Sequence, residues 1–199
     1  MSSTSTAKAR LRRALRAVRS ERTEADRADA AEAIAQHGID LLRGLSRDMP
    51  LLVATYLSMP TEPGTDSLIA LAQDDHDAIW VPRVVEDRLD WVALRRGTPV
   101  ATGPFGIREP EGTPVGPEHL VGLDVMFVPA LAVDEQGHRL GQGRGYYDRV
   151  LADFPRNREG GPLLVAVVFD DELLDSVPTE DFDQCVDVAL MPSGLVDLG

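Results

Sequence analysis

The chain has 199 residues, 43% of them hydrophobic, which is enough for one sizeable core and short for two domains, so we predict a single α/β domain over residues 1–199. Cys185 is the only cysteine, which excludes an internal disulfide and a cysteine-based metal cluster, and no apolar run approaches the ~20 residues needed to cross a bilayer. A cytoplasmic protein without a membrane partner is expected, and the net charge of −13 argues against nonspecific binding of nucleic acid.

The N-terminal segment carries charge of the opposite sign, because residues 1–22 hold seven of the 20 basic residues and one of the 33 acidic residues. The pattern predicts an amphipathic helix with an apolar face (Leu11, Leu15, Val18) and a basic face (Lys8, Arg12, Arg16, Arg19). Such a helix fits either a transit peptide or an arm that lays a basic stripe over a bound anion. Lys8 is the only lysine against 19 arginines, which favours a phosphate contact there over chance survival on a solvated face.

The rest of the chain alternates predicted helices and strands. Thr23 is the predicted N-cap of a helix over 24–45, and Thr65 is the predicted cap of a helix over 65–73. Strands are predicted at 51–56, 78–84, 87–96, 124–133, 163–169 and 187–192, and a further helix at about 145–153. Strand, helix and strand in succession imply a parallel crossover, so the fold class is α/β, with a mixed, largely parallel sheet flanked by helices. The segment 97–120 is rich in Gly and Pro, and such loops are typically functional or disordered.

The most informative segment is RLGQGRGYYDR at residues 139–149. Its alternate glycines allow positive φ and close approach of backbone N–H groups to phosphate oxygens, and its arginines supply forked donors. The residues that form this predicted anion site are Gly141, Gly143, Gly145, Arg139, Arg144 and Arg149, with Asp148 to hold a cation. The alternative is a plain glycine-rich turn before a surface helix near Tyr146. Neither a P-loop nor a dinucleotide fingerprint matches, so a bound nucleotide is held in another way.

Four segments that span nearly the whole chain point to a family. They are KARLR (8–12), YLSMPTEPGT (56–65), FGIREP (105–110) with DVMFVPALAVDEQGHRLGQGRGYYDR (124–149), and VPTEDFDQCVDVAL (177–190). In this order and spacing they resemble the 5-formyltetrahydrofolate cyclo-ligase family, also called methenyltetrahydrofolate synthetases. The glycine-rich segment is specific in that context, and the other three are persuasive as a set.

The resemblance implies a three-layer α/β fold with a helical N-terminal arm, and an ATP- and magnesium-dependent ligase of one-carbon metabolism. The implied reaction converts 5-formyltetrahydrofolate to 5,10-methenyltetrahydrofolate and releases ADP and phosphate. ATP first phosphorylates the formyl oxygen, and N10 then attacks, closes a ring and expels phosphate. The expected partners are ATP and 5-formyltetrahydrofolate, the expected cofactor is Mg²⁺, and a monomer is favoured.

The resemblance also assigns residues by position. ATP contacts are assigned to Lys8, Ala9, Arg10, Leu11, Arg12, Arg139, Leu140, Gly141, Gln142, Gly143, Arg144, Gly145, Tyr146 and Tyr147. Substrate contacts are assigned to Leu57, Glu62, Gln142, Gly143, Arg144, Gly145 and Tyr146. The magnesium ligands are Asp148 and Asp183, and the catalytic candidates are Lys8, Arg139, Arg144 and Tyr146. Phe105 and Trp80 are candidates for a wall against the pterin ring, although an aromatic residue on a strand is more often part of a core.

Three positions depart from the family pattern. Arg144 stands where the family varies between glycine and basic residues, Phe182 replaces a histidine that is usual there, and Asp171 stands where a glutamine is common. Without the resemblance, Asp183 would be read as part of a solvated acidic run. Two alternative functions stay open: a paralogue with the same ATP site and another substrate, which Glu62 would discriminate, and a basic arm that docks on nucleic acid or an acidic partner.

Overall fold

The computed structural model describes residues 3–45, 50–103, 107–155 and 157–199. Within these ranges the α-helices are α1 (Ser3–Glu21), α2 (Glu24–Leu45), α3 (Asp66–Asp75) and α4 (Tyr146–Leu151). The strands are β1 (Val53–Ala54), β2 (Ile79–Val85), β3 (Arg88–Leu94), β4 (Val100–Thr102), β5 (Arg108–Pro110), β6 (Val125–Pro129), β7 (Ala132–Asp134), β8 (Arg139–Leu140), β9 (Leu163–Val167), β10 (Leu173–Leu174), β11 (Val188–Met191) and β12 (Gly194–Asp197). Among the helices in these ranges, none combines the length and the apolar character that a membrane span requires.

The buried side of α1 mixes apolar and basic side chains. Leu15 is buried as predicted, but Val18 is 43% exposed and Arg19 is only 1% exposed. The separation into an apolar face and a basic face is therefore wrong at these two positions. Arg19 is buried because its guanidinium donates to both carboxylate oxygens of Glu172, at 2.7 and 2.8 Å, and to the carbonyl of Ala130 at 2.6 Å.

The helix caps follow the prediction at one position of two. The Thr23 hydroxyl accepts a hydrogen bond from the Asp26 N–H at 3.1 Å, and Asp26 accepts one from the Thr23 N–H at 3.1 Å, so this end of α2 is capped reciprocally. Thr65 precedes α3, but its side chain does not cap the helix. Its hydroxyl donates instead to the Tyr56 carbonyl at 2.5 Å, which ties the start of α3 to the chain just after β1.

The central sheet has the strand order β12-β11-β9-β6-β1-β2-β3. Its inner strands run parallel, and β3 and β12 lie antiparallel at the two edges. The predicted α/β class with a mixed, largely parallel sheet is therefore confirmed. The edge strand β12 was not predicted, because it follows the strand expected to be the last.

Helices cover both faces of this sheet, as the alternating directions of the side chains along β6 show. Val125 and Phe127 point to the side of α2 and α3, where they join a buried cluster with Ile34, Leu42 and Leu68. Met126 and Val128 point to the opposite side, where they join a second buried cluster with Val150 and Leu151 of α4. The two clusters make three layers, which confirms the layered fold that the resemblance implied.

The apolar run at 124–133 forms two strands in two sheets, although one strand was predicted. β6 ends at Pro129, and β7 pairs with β8 and β10 in a separate three-stranded sheet. Proline has no N–H to continue the ladder, so the chain leaves the large sheet at this point. The glycine loop consequently follows the short strand β8.

The predicted strand at 51–56 is shortened to β1, and the segment 97–120 contains the β4–β5 hairpin.

Candidate active site

A cavity of about 370 Å³ opens at the carboxyl ends of the parallel strands. Tyr56 and Leu57, just after β1, and Pro129, at the end of β6, form part of its wall, as expected for a ligand site in an open α/β sheet. The hairpin of β2 and β3 and residue Arg108 of β5 contribute a second side. The glycine loop, Gly141 to Gly145, and the first residues of α4 complete the wall.

Glu62 connects this cavity to the glycine loop. Its side chain is buried, and one carboxylate oxygen accepts a hydrogen bond from the backbone N–H of Met59 at 3.0 Å. The other oxygen accepts one from Gln142 Nε2 at 3.0 Å. The structure therefore brings together the residues predicted to contact the substrate, which are Leu57, Glu62, Gln142, Gly143, Arg144, Gly145 and Tyr146.

Two arginines of helix α1 donate hydrogen bonds to the glycine loop. Arg12 Nε donates to the Gly141 carbonyl at 2.8 Å, and Arg16 Nη2 donates to the Gln142 carbonyl at 2.8 Å. Gly143 has φ +101°, and a Cβ added there would lie 3.3 Å from the Arg12 guanidinium carbon. Glycine is thus favoured by the left-handed backbone, and a larger residue would also press against the Arg12 side chain. Positive φ was predicted correctly for Gly143 and Gly145, and Gly141 does not show it.

Lys8 lies in an acidic pocket formed by the C-terminal part of the chain. It is 4% exposed, and its Nζ donates to Glu180 Oε2 at 2.9 Å and to Asp183 Oδ2 at 2.5 Å. The Phe182 ring lies 5.4 Å from the same nitrogen, measured to the ring centroid. The interpretations of Lys8 and Asp183 as solvated surface residues are therefore wrong.

Asp148, the other predicted metal ligand, pairs with a buried arginine. Its Oδ1 accepts a hydrogen bond from Arg139 Nη2 at 2.6 Å. Burial and the neighbouring Arg16 lower the pKa of Arg12, while the carboxylates of Asp183, Asp148 and Glu180 act in the opposite direction. No group of three potential ligands that could hold a metal is present among the described residues.

The chain carries the sequence signature of a known family over most of its length. The model of the 5-formyltetrahydrofolate cyclo-ligase family matches residues 4–192. The chain belongs to this family. A 5-formyltetrahydrofolate cyclo-ligase of Mycolicibacterium smegmatis is 36% identical over 176 residues, which are 83% of this chain and 88% of the relative. One of Mus musculus is 30% identical over 145 residues, which are 69% of this chain and 71% of the relative.

Solved structures agree with this membership in the cyclo-ligase family. The NMR structure of the 5,10-methenyltetrahydrofolate synthetase of Aquifex aeolicus superimposes with a TM-score of 0.74 at 27% identity, covering 96% of this chain and 92% of that one. A methenyltetrahydrofolate synthetase of Mycoplasma pneumoniae shares the fold, with a TM-score of 0.68 at 17% identity, covering 92% and 97% of the two chains. The predicted family and fold are thereby confirmed.

The three departures from the cyclo-ligase pattern have distinct surroundings. Arg144 is exposed on the glycine loop and lines the cavity. Phe182 is 64% exposed beside Lys8. Asp171 forms an ion pair with Arg22, just after α1, and does not line the cavity.

Some of the predicted cyclo-ligase site residues lie away from the cavity wall. Ala9 and Arg10 are exposed on α1, and Leu11 and Leu140 pack together in an apolar cluster. Their contacts with ATP stay predictions. The Arg149 guanidinium donates to the Asp87 carbonyl at 2.8 Å.

Of the two residues predicted to form a wall against the pterin ring, the structure describes one. Trp80 packs against the core, as the alternative interpretation had it, and Phe105 lies outside the described residues. Other cavity residues were not predicted, namely Tyr56, Met59, Pro82, Val84, Leu89, Ile107, Arg108 and Pro129, whereas Arg16 was predicted on the basic face of the N-terminal helix. Tyr56 and Met59 fall within the segment YLSMPTEPGT, which was available as a signal, whereas the β2–β3 residues have no motif that marks them.

Proposed function

We propose that this chain catalyses the ATP-dependent cyclisation of 5-formyltetrahydrofolate to 5,10-methenyltetrahydrofolate, with release of ADP and phosphate. The observation that carries the proposal is the position of Gln142. Its side chain donates to Glu62 in the cavity, and its carbonyl and side-chain oxygens accept hydrogen bonds from Arg16 of the basic helix. One loop therefore touches both the predicted folate residue and the predicted phosphate-binding arm, as a transfer between two substrates requires.

The chemistry explains why cations and backbone donors are needed. A formyl amide oxygen is a poor leaving group, so the γ-phosphoryl group of ATP is first transferred to it and ADP leaves. The N10 lone pair then attacks the formyl carbon, N10 loses its proton, and the carbon–oxygen bond breaks to expel phosphate. Phosphoryl transfer depends mainly on positioning and on neutralising charge. We assign these tasks to Lys8, Arg12, Arg139 and the glycine loop, with Arg144 and Tyr146 beside the reacting groups.

Magnesium is the cofactor that this site would take. Mg²⁺ is commonly held by one or two carboxylates together with substrate phosphates and water, and hard oxygen ligands suit it. Asp148 and Asp183 supply two such carboxylates in neighbouring segments, because the Gln184 N–H donates to Asp148 Oδ1 at 3.4 Å, so the donor types fit. Bound magnesium would neutralise phosphate charge. In this structure, Arg139 and Lys8 balance the two carboxylates instead.

The direct test is to mix the protein, ATP, magnesium and 5-formyltetrahydrofolate and to follow the near-ultraviolet absorbance of the methenyl product. We expect an absorbance rise that requires both ATP and the folate. A protein that hydrolyses ATP only in the presence of some other acceptor, with no methenyl product, would instead be the paralogue with a different substrate.

Replacing Glu62 with glutamine is expected to raise the KM for 5-formyltetrahydrofolate about 10- to 100-fold and to leave the KM for ATP unchanged. A hydrogen bond to a charged acceptor contributes about 1.5–3 kcal/mol, and the amide presents a donor where the carboxylate accepted. Steady-state kinetics with each substrate varied in turn measure both constants. Glu32→Gln, at an exposed position of α2, is the matched control. Unchanged folate kinetics in Glu62→Gln would show that the pterin assignment is wrong.

Replacing Asp148 with asparagine is expected to increase the magnesium concentration required for half-maximal activity by about 10-fold or more, since a neutral amide is a weaker ligand for a hard cation. A titration of activity with magnesium at saturating ATP measures this shift. Asp153→Asn, an exposed acid shortly after α4, provides the control. A titration curve identical to that of the wild type would remove Asp148 from the metal site.

A further inference from the structure

Two tyrosine hydroxyls in the cavity wall have no hydrogen-bond partner among the described residues. Tyr56 is 4% exposed, and the hydroxyl oxygens of Tyr56 and Tyr147 are both buried from solvent. Both residues line the 370 Å³ cavity. Leaving a buried hydroxyl unpaired costs about 1–3 kcal/mol, so such groups are rare in a folded protein unless a ligand or an ordered water completes them.

The two hydroxyls share one charged neighbour. Burial, followed by the nearby Glu62 carboxylate, raises the pKa of Tyr56 and that of Tyr147 above the ordinary value of 10.0. Arg19 and Arg139, which act in the opposite direction on Tyr56 and Tyr147 respectively, do not reverse these shifts. Both hydroxyls therefore keep their protons at neutral pH and remain hydrogen-bond donors beside an acceptor.

Position in the cavity distinguishes these hydroxyls, together with Arg139 Nε, from other buried groups that have no partner among the described residues. Thr55 Oγ1, His76 Nδ1 and Trp91 Nε1 are also buried without a partner among the described residues, yet none of these three residues lines the cavity. An unpaired atom by itself thus indicates no ligand. The combination of an unpaired donor, a cavity and an adjacent buried carboxylate is found at Tyr56 and Tyr147.

We propose that Tyr56 is a ligand-binding residue, whose hydroxyl, together with that of Tyr147, donates hydrogen bonds to acceptors on the pterin ring of the folate. This inference rests on the function proposed above. A pterin presents amino and ring N–H donors beside a carbonyl oxygen and ring nitrogens that accept. Glu62 can serve only the donors, because a carboxylate has no hydrogen to give. The tyrosine hydroxyls can donate to the pterin acceptors, which Glu62 cannot do.

A water molecule enclosed between Tyr56 and Arg19 is the competing explanation, since Arg19 Nη1 also has no partner among the described residues. In that case the hydroxyl would support the fold and would not contact the ligand. The two explanations predict different effects of removing the Tyr56 hydroxyl oxygen. Loss of a ligand contact weakens folate binding, whereas loss of a structural water bridge lowers the melting temperature.

The test compares Tyr56→Phe with Thr55→Val, which removes a neighbouring unpaired hydroxyl that does not line the cavity. Calorimetric titration with 5-formyltetrahydrofolate in the absence of ATP gives the Kd, thermal unfolding gives Tm, and absorbance kinetics give both KM values. In Tyr56→Phe we expect the folate Kd and KM to rise about 3- to 10-fold, the range for one neutral hydrogen bond, with the ATP KM unchanged and Tm equal or higher. In Thr55→Val we expect the folate Kd to stay at the wild-type value.

The outcome separates this inference from the proposed function. If the wild-type protein binds and converts 5-formyltetrahydrofolate but Tyr56→Phe has the same folate Kd, the role of Tyr56 is refuted and the function stands. A lowered Tm with an unchanged Kd refutes it in favour of the enclosed water. A wild-type protein that neither binds nor converts the folate overturns both proposals.

Discussion

Lys8→Ala is expected to slow turnover by about 100-fold at saturating concentrations of both substrates. Loss of one preorganised donor to a developing negative charge typically costs about 2.7–4 kcal/mol, which corresponds to two or three orders of magnitude in rate. Lys8 is suited to this task because its ammonium is nearly inaccessible to water and lies next to the residues assigned to magnesium and ATP. Single-turnover measurements of methenyl formation check the chemical step directly.

Two controls separate catalysis by Lys8 from its contribution to folding. Arg13→Ala removes a positive charge from the exposed side of the same helix and should leave turnover unchanged. Lys8→Met retains the aliphatic length without the charge, and it should be as slow as Lys8→Ala if the charge is what matters. If Lys8→Ala turned over at the wild-type rate with the wild-type KM for ATP, Lys8 would not belong to the site.

Arg19→Met is expected to lower the free energy of unfolding by about 3–5 kcal/mol. Removing one partner of a buried ion pair leaves the other charge without compensation, and this is far costlier than removing the whole pair. Here Glu172 would remain buried, with the Phe169 N–H, at 2.9 Å, as a remaining hydrogen-bond donor. Equilibrium unfolding in urea, with the slope compared between variants, measures the change.

The double variant Arg19→Met with Glu172→Leu is the informative comparison. It removes both charges and fills part of their volume, so we expect it to recover most of the lost stability. Arg13→Met, at an exposed position of α1, should change the free energy of unfolding by less than about 0.5 kcal/mol. A loss below about 1 kcal/mol in Arg19→Met would mean that water reaches the pair.

Local signals in the sequence were sufficient for the main features of the fold. Period-two alternation and short apolar runs predicted six of the seven strands of the central sheet, and glycine identity predicted the left-handed backbone at Gly143 and Gly145. The isolation of a single lysine among arginines predicted a phosphate contact for Lys8, which stays a prediction, and the structure places Lys8 in a buried ion pair with Asp183.

Features that depend on distant partners could not be predicted locally. Helical periodicity placed Arg19 on a basic face because its partner, Glu172, is 153 residues away. The run at 124–133 is apolar throughout, so nothing in its composition marks the passage from one sheet to another. The unpaired hydroxyl of Tyr56 is likewise a property of packing, because tyrosine at that position would ordinarily be read as a core residue.

The bond between Lys8 and Asp183 joins residues 175 positions apart, and Arg12 and Gly141 are 129 positions apart. Helix α1 therefore contacts segments that are distant from it in the sequence. During synthesis α1 leaves the ribosome long before its acidic partners, Glu180 and Asp183, are translated. The acidic pocket around Lys8 can consequently form only after residue 183 has been translated, and until then Lys8 lacks these two counter-charges.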